Sequence, residues 1–145
     1  MSGSTNIPSC YLVLRKGNSA LFVLRNNTGY MDGFYGLPAG HVEDMESFTS
    51  ATIREAQEEV GVNVKIDNLN HLHTMHRNCG DHVRVDVFFG ANNWEGRPKN
   101  NEPNKSSEIA WLDLNNLPEN VMDYTVFALK QIKQGKTYSE FGWTD

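Results

Sequence analysis

Residues 40–62, GHVEDMESFTSATIREAQEEVGV, decide how this chain is read. Ser47 opens a stretch in which Phe48, Ala51, Ala56 and Val60 form an apolar stripe, and Gly61 closes it. That pattern predicts one amphipathic helix over residues 47–60. On it Glu55, Glu58 and Glu59 stand at i, i+3 and i+4, so they share a face with Cβ atoms about 5–6 Å apart. Carboxylates that close repel one another unless a positive charge sits among them, and a hard divalent cation with oxygen ligands is the natural occupant. A Glu-rich helix is also what an ordinary solvated face looks like, because Glu is a good helix former. The flanking residues decide between the two. Gly40, Glu46, Arg54, Glu55, Glu58, Glu59 and Gly61 follow the spacing G-x5-E-x7-R-E-x-x-E-E-x-G. With ordinary residue usage, seven such coincidences are expected by chance on the order of once in a million chains.

Outward from the helix, residues 10–15 (CYLVLR) and 20–25 (ALFVLR) read as apolar strands joined by a tight turn at Gly17-Asn18. Residues 26–33 are a turn-rich loop, and 35–37 a short strand ended by Pro38. Gly40 belongs to a loop before the helix. Residues 64–76 and 82–91 form a second strand pair turned at 78–81. In its second member Val83, Val85, Val87 and Phe89 alternate with Arg84, Asp86 and Phe88, as two unlike strand faces should. Residues 108–112 are another strand, and 120–133 a final helix with Met122, Val126, Leu129 and Ile132 at helical spacing. The interleaving predicts a mixed sheet between helices.

The chain has 145 residues, 39% hydrophobic and 21% charged, which suits one globular domain over residues 1–145. No run approaches the ~20 apolar residues that cross a bilayer, so no membrane partner is expected. The opening MSGSTNIPSCYLVLRK has no basic start followed by a long apolar stretch, so no secretory signal is expected. Cys10 and Cys79 form neither a disulfide framework nor a CxxC pair, which favours a reducing cytoplasm. With 13 basic against 18 acidic side chains the net charge is −5, which argues against a broad nucleic-acid face.

The spacing in residues 40–61 resembles the Nudix box, the signature of the Nudix (MutT-like) pyrophosphohydrolases. One departure is Ala56, where the family prefers a large aliphatic residue; the position packs under the helix, so packing volume rather than chemistry is at stake. The resemblance implies an α/β/α sandwich and a nucleotide substrate. It implies Mg²⁺, with Mn²⁺ as a substitute, held by Glu58, Glu59, Glu55 and the main-chain carbonyl of Ala39, the residue before the box glycine. Glu108, in the E-x-x-W of residues 108–111, resembles a residue that approaches the metal from the opposite side. The reaction implied is hydrolysis of a phosphoanhydride bond in a nucleoside diphosphate linked to another moiety, or in a nucleoside triphosphate. Glu55, Glu102 and Glu108 are candidates for the carboxylate that deprotonates water. Arg54 is expected to orient Glu58 and to pair with Glu46. By analogy with relatives that pair, a homodimer is an expectation. A non-catalytic nucleotide-binding domain and an RNA 5′-pyrophosphohydrolase stay open as alternatives.

Substrate choice in the family lies in loops, here residues 26–35 and 92–107. Arg25, Tyr35, Trp94 and Glu102 are therefore the expected substrate-binding residues. The long, almost wholly polar linker of residues 92–107 reads either as a disordered surface loop or as a substrate-covering one. In the second reading Trp94 offers a stacking surface, and Arg97, Lys99 and Lys105 offer charge for phosphate. His71, His73, His76 and His82 lie near Cys79, but their spacing matches no zinc module, so structural or substrate-lining roles are expected. The aromatic end, YSEFGW at 138–143, is expected to pack as a tail over the core.

Overall fold

The protein is described from a computed structural model covering residues 5–144; the first four residues of the opening stretch and residue 145 lie outside the described residues. In chain order the elements are β1 (Asn6–Lys16), β2 (Ser19–Arg25), β3 (Tyr35–Gly36), β4 (Ala39–His41), α1 (Phe48–Val60), β5 (Asn70–Asn78), β6 (Val83–Ala91), β7 (Ser106–Asp113), α2 (Asp123–Lys133) and β8 (Tyr138–Phe141).

β1 organises the sheet. One edge runs parallel to β6 from Asn6↔Val83 to Leu14↔Ala91. The other edge is shared: β2 pairs with it only beside the turn, at Arg15↔Ala20 and Lys16↔Ser19, and β4 takes it at Ser9↔His41 through Tyr11↔Ala39. The hairpin therefore splays. β2 turns away to pair with β7 and β3, so the strand order β3-β2-β1-β6-β5-β8 bends into two leaves with a cleft between them.

Strand alternation gives the two faces their cores. Leu12, Leu14, Leu21 and Val23 bury against Ala56 and Val60 of α1. Tyr11, Val13, Ala20, Phe22, Met75 and Phe88 bury against Tyr124 and Ala128 of α2. A mixed sheet between helices results, as the sequence predicts. Ala56 is fully buried in the first cluster, so the small residue at this box position packs directly on the sheet.

Several boundaries differ from the sequence reading. Gly40 lies in a strand, not a loop, because β1 offers β4 a free edge. The strand expected from residue 64 begins at Asn70; Val62 and Val64 instead bury singly beneath α1, and a 3-10 turn (Ile66–Asn68) follows. α2 starts at Asp123 because the chain before it is held extended: Tyr35 N–H donates to Asn120 O at 2.7 Å, and Met122 N–H to Tyr35 O at 3.1 Å. The expected tail is the strand β8, parallel to β5 from Thr74↔Tyr138 to Arg77↔Phe141. Phe141 packs on Phe127 at 5.2 Å, and Trp143 Nε1 donates to His76 O at 3.0 Å.

A charged pair lies within the α2-side core. Arg77 Nε donates to Asp86 Oδ2 at 2.7 Å, its Nη2 to Tyr11 Oη at 3.2 Å, and its guanidinium lies 3.6 Å from the Tyr124 ring centroid. Breaking a buried pair strands the surviving charge, so Asp86→Asn should cost about 3–5 kcal/mol in chemical denaturation.

Candidate active site

The helix carrying the glutamates is fixed at both ends. Ser47 Oγ accepts from Ser50 N–H at 3.1 Å as the N-cap. Gly61 adopts φ 70° at the other end, the left-handed conformation that stops a helix. The last carbonyls of a helix need outside donors, and the polar linker supplies them. Lys99 N–H donates to Val60 O and Asn101 N–H to Glu59 O, each at 3.0 Å, while Asn101 Nδ2 donates to Gln57 O at 3.1 Å. The linker is thus the ordered C-terminal cap of α1, and it delivers Glu102 beside the helix.

Arg54 is the hub of the box. Its Nε and Nη2 donate to both oxygens of Glu46, at 2.8 and 3.0 Å. Nη1 donates to Glu55 Oε1 at 2.7 Å and to Glu58 Oε2 at 3.3 Å, and Nη2 reaches His41 O at 3.1 Å. Both expected pairings, with Glu46 and Glu58, are present. The Arg54 hydrogen bonds pull the Glu46 carboxyl down to about 2.

Glu55 and Glu59 are under the opposite pressure. Burial, opposed by Arg54 and reinforced by Glu58 and Glu102, raises the pKa of Glu55. Burial first, then repulsion from Glu55 and Glu102, raises Glu59 well above the carboxylate range, against the pull of the Ala39 N–H and Arg25. The Ala39 N–H donates to Glu59 Oε2 at 3.2 Å. Among the described residues no three His, Cys, Asp or Glu side chains form a metal-holding group as they stand; Arg54 donates to Glu55 and the Ala39 N–H to Glu59. The chemistry of the donor set nevertheless fits a hard cation: crowded carboxylate oxygens, partly buried, whose mutual repulsion a divalent ion would relieve.

β4 brings backbone against this cluster. A Cβ at Gly40 would fall on the Glu55 carboxylate, so the strand approaches only because this residue is glycine. Beneath it Cys10 Sγ faces Gly40 O at 3.6 Å, and burial pushes its thiol up to about 11.

The cleft between the two leaves is lined by Ser9, Tyr11, Arg25, Tyr30, Ala39, Gly40, His41, Glu59, Arg77, Arg84, Met122, Tyr124 and Thr125, among others. Of the expected substrate-binding residues, Arg25 lines it, and Glu102 stands beside the glutamates. Trp94 does not line it: it stacks on Trp111 at 5.9 Å and packs under α1, because Glu95 pairs with Asn63 there. Arg97, Lys99 and Lys105 also lie outside the lining, with the Lys99 stem alongside Gly61. Glu108 stands on β7. Its register with Leu24, which pairs in turn with Tyr35, places it on the α2 side, where its carboxylate adds to burial in raising the Tyr35 hydroxyl. The histidines diverge: His73 is buried between Lys136 O and Ser139 Oγ, each at 2.7 Å, His71 meets Thr74, and His76 lies against Trp143.

Sequence reasoning missed Tyr30, Tyr11, Arg77, Arg84, His41, Tyr124 and Thr125. Tyr30 is the exposed aromatic of the cleft, 5.5 Å from the Arg25 guanidinium, on a loop that Asp32 ties together through Thr28 and Gly29. The alternation in β6 did mark Arg84 and Asp86 as one face, but not what lies across from it. Thr125 Oγ1 is buried at the cleft without a partner, leaving hydrogen-bonding capacity for a ligand.

Two outcomes test this geometry. Gly40→Ala should displace Glu55 and lower turnover about 100-fold, since a misplacement of about 1 Å is worth that much, with little change in melting temperature. Cys10, neutral at pH 8 with its pKa near 11, should resist iodoacetamide until the protein is unfolded in urea, read by mass spectrometry.

Comparison with known proteins bears on the family. The family model for the NUDIX domain matches residues 6–132. The chain is 31% identical over 113 residues to the ADP-ribose pyrophosphatase of Methanocaldococcus jannaschii, a match covering 77% of this chain and 64% of that protein. It thus spans a little under two thirds of that relative's length. It is also 31% identical over 84 residues to the 8-oxo-dGTP diphosphatase of Proteus vulgaris, covering 58% of this chain and 73% of that one. The crystal structure of a MutT NUDIX hydrolase from Burkholderia pseudomallei superposes with a TM-score of 0.80 at 24% identity, over 88% of this chain and 98% of the other. The MutT protein from Methanosarcina mazei follows with a TM-score of 0.79 at 18% identity, over 92% and 97%. These structural likenesses speak to the fold, and the match from β1 nearly to the end of α2 to the family: the chain belongs to the Nudix hydrolase family.

Proposed function

We propose that this protein is a metal-dependent pyrophosphohydrolase that cleaves a phosphoanhydride bond in a nucleoside diphosphate linked to another moiety, or in a nucleoside triphosphate. One observation carries the reading: Glu59 lines the cleft, and Glu55 and Glu102 stand near enough to it that burial and mutual repulsion raise Glu55 and Glu59. Folding stability alone gives no reason to hold carboxylates this way, whereas a phosphate substrate accompanied by a divalent cation does. The names of the two sequence relatives, a pyrophosphatase and a diphosphatase, support the same bond class.

Glu58, Glu59 and the Ala39 carbonyl are the groups that would hold Mg²⁺ or Mn²⁺. Such an ion, when bound, supplies neutralisation of the phosphate oxygens. The chain's own residues do the rest. Arg54 fixes one oxygen of Glu55 and leaves the other for a water proton. The raised pKa of Glu55 suits it to take that proton. Arg25, whose Nε donates to Tyr30 O at 2.9 Å, directs its remaining donors to phosphate, and the Tyr30 ring gives a base a stacking surface.

A panel of ADP-ribose, other nucleoside diphosphate derivatives, 8-oxo-dGTP and ordinary triphosphates, assayed with Mg²⁺ for phosphate against pyrophosphate release, tests the proposal. The expected result is turnover of at least one compound, lost by about 100-fold or more in Glu59→Gln. Millimolar Mg²⁺ or Mn²⁺ should also raise the melting temperature over an EDTA control by mass action. Turnover of none of them, with no thermal shift, would overturn the reading.

A further inference from the structure

The cleft has a second cationic feature that the reaction above does not use. Arg84 of β6 lines it, and every hydrogen-bond partner of its guanidinium is uncharged. Nη1 donates to Ser9 Oγ and to His41 Nε2, each at 3.0 Å, and Nε donates to His82 Nε2 at 3.1 Å. Both imidazoles accept, so both are neutral at that nitrogen; His82 turns its other nitrogen to Asp81 at 2.7 Å.

The register sharpens the point. Arg84 stands directly across from Arg77 in the β5–β6 pair. Like charges opposite one another destabilise a sheet. Asp86 on the same face neutralises Arg77 and turns Oδ2 to it, and no carboxylate approaches within ion-pair distance of Arg84 among the described residues. The face is left with one uncompensated positive charge, locked in orientation by three neutral acceptors and bordering a cleft. A guanidinium held rigidly in this way loses little entropy on binding an oxyanion.

Its position relative to the glutamates follows from β4. Ala39 hydrogen-bonds Glu59, whose carboxylate also feels Arg25; two residues along the same strand His41 meets Arg84. Two strand residues span about 7 Å. Arg25 and Arg84 therefore flank the glutamates, with Tyr30 beside the first and Ser9 and His41 beside the second.

We propose that Arg84, positioned by Ser9, His41 and His82, is an anion subsite that takes the substrate phosphate on the side of the scissile bond away from Tyr30. The substrate then extends past the glutamates in both directions: nucleoside toward Tyr30, and a phosphate-bearing group over Arg84. Specificity on that side is for charge, and a substrate whose far group is phosphate-linked gains from it. This rests on the phosphoanhydride reading, but its test does not need turnover.

Arg84→Gln and Arg84→Lys would be compared with the unaltered protein by calorimetric titration with α,β-methylene-ADP in Mg²⁺, and by steady-state kinetics on whichever panel compound is cleaved. Loss of a charge-assisted contact should weaken methylene-ADP binding and raise KM by about 10- to 100-fold in Arg84→Gln. kcat should change far less, Arg84→Lys should recover part of the loss, and the melting temperature should stay within a few degrees. Unchanged analogue affinity and KM in a folded Arg84→Gln variant would overturn the subsite. So would an equal fall in kcat with KM unaltered, since that marks a role in the reaction itself. If the unaltered protein cleaves nothing on the panel, the hydrolase reading falls, and the titration still decides whether Arg84 binds phosphate.

Discussion

Everything at this site depends on one guanidinium placed among like charges. Arg54 bonds to Glu46, Glu55, Glu58 and the carbonyl of His41, so it joins the loop before the helix, the helix itself and β4. Without it the glutamates would repel one another and the strand carrying Gly40 would lose an anchor to α1. A planar fork with five donors meets this demand where an ammonium would not. The arginine also divides the acidic side chains into two kinds. Glu46, bound through both oxygens, is a structural anion with a depressed pKa, whereas Glu59, bonded only to a backbone N–H, keeps its raised one.

The second constraint is the splayed hairpin. β1 and β2 separate just after their turn because β4 takes the edge that β2 would otherwise occupy. That competition opens a cleft whose floor belongs to one core and whose rim belongs to the box. Tyr11, Arg77 and Tyr124 bring aromatic and charged surface to its base, and Arg25 and Arg84, neither in an ion pair among the described residues, bring cations to its sides. An acidic protein thereby keeps a positive lining where a phosphate would lie.

What could be read from the sequence follows the range of the interaction. α1, its Ser47 cap, its Gly61 stop and the Arg54 pairings are local, so spacing alone revealed them. The layer order followed from the interleaving of apolar strands with two helices. Contacts between distant segments were not legible. Trp94 looked like a stacking residue because it is aromatic in a polar run, but the Asn63–Glu95 bridge turns that run under the helix. Glu108 looked like a ligand through its neighbour Trp111, while its place beside Leu24 and Tyr35 follows only from the β2–β7 and β2–β3 registers. Arg84 was visible as one residue of a two-faced strand, and only the β5 register and the turn of β4 give it neighbours that make it a binding group.

The linker's capping of α1 has a consequence for how this enzyme family member tolerates change. Asn101 is bonded to the helix end and Glu102 is its immediate successor, so a single peptide unit separates a helix cap from a carboxylate beside the glutamates. One extra residue at this junction would slide the acid away from the glutamates while leaving the core whole, so the spacing between cap and carboxylate is fixed to a single residue.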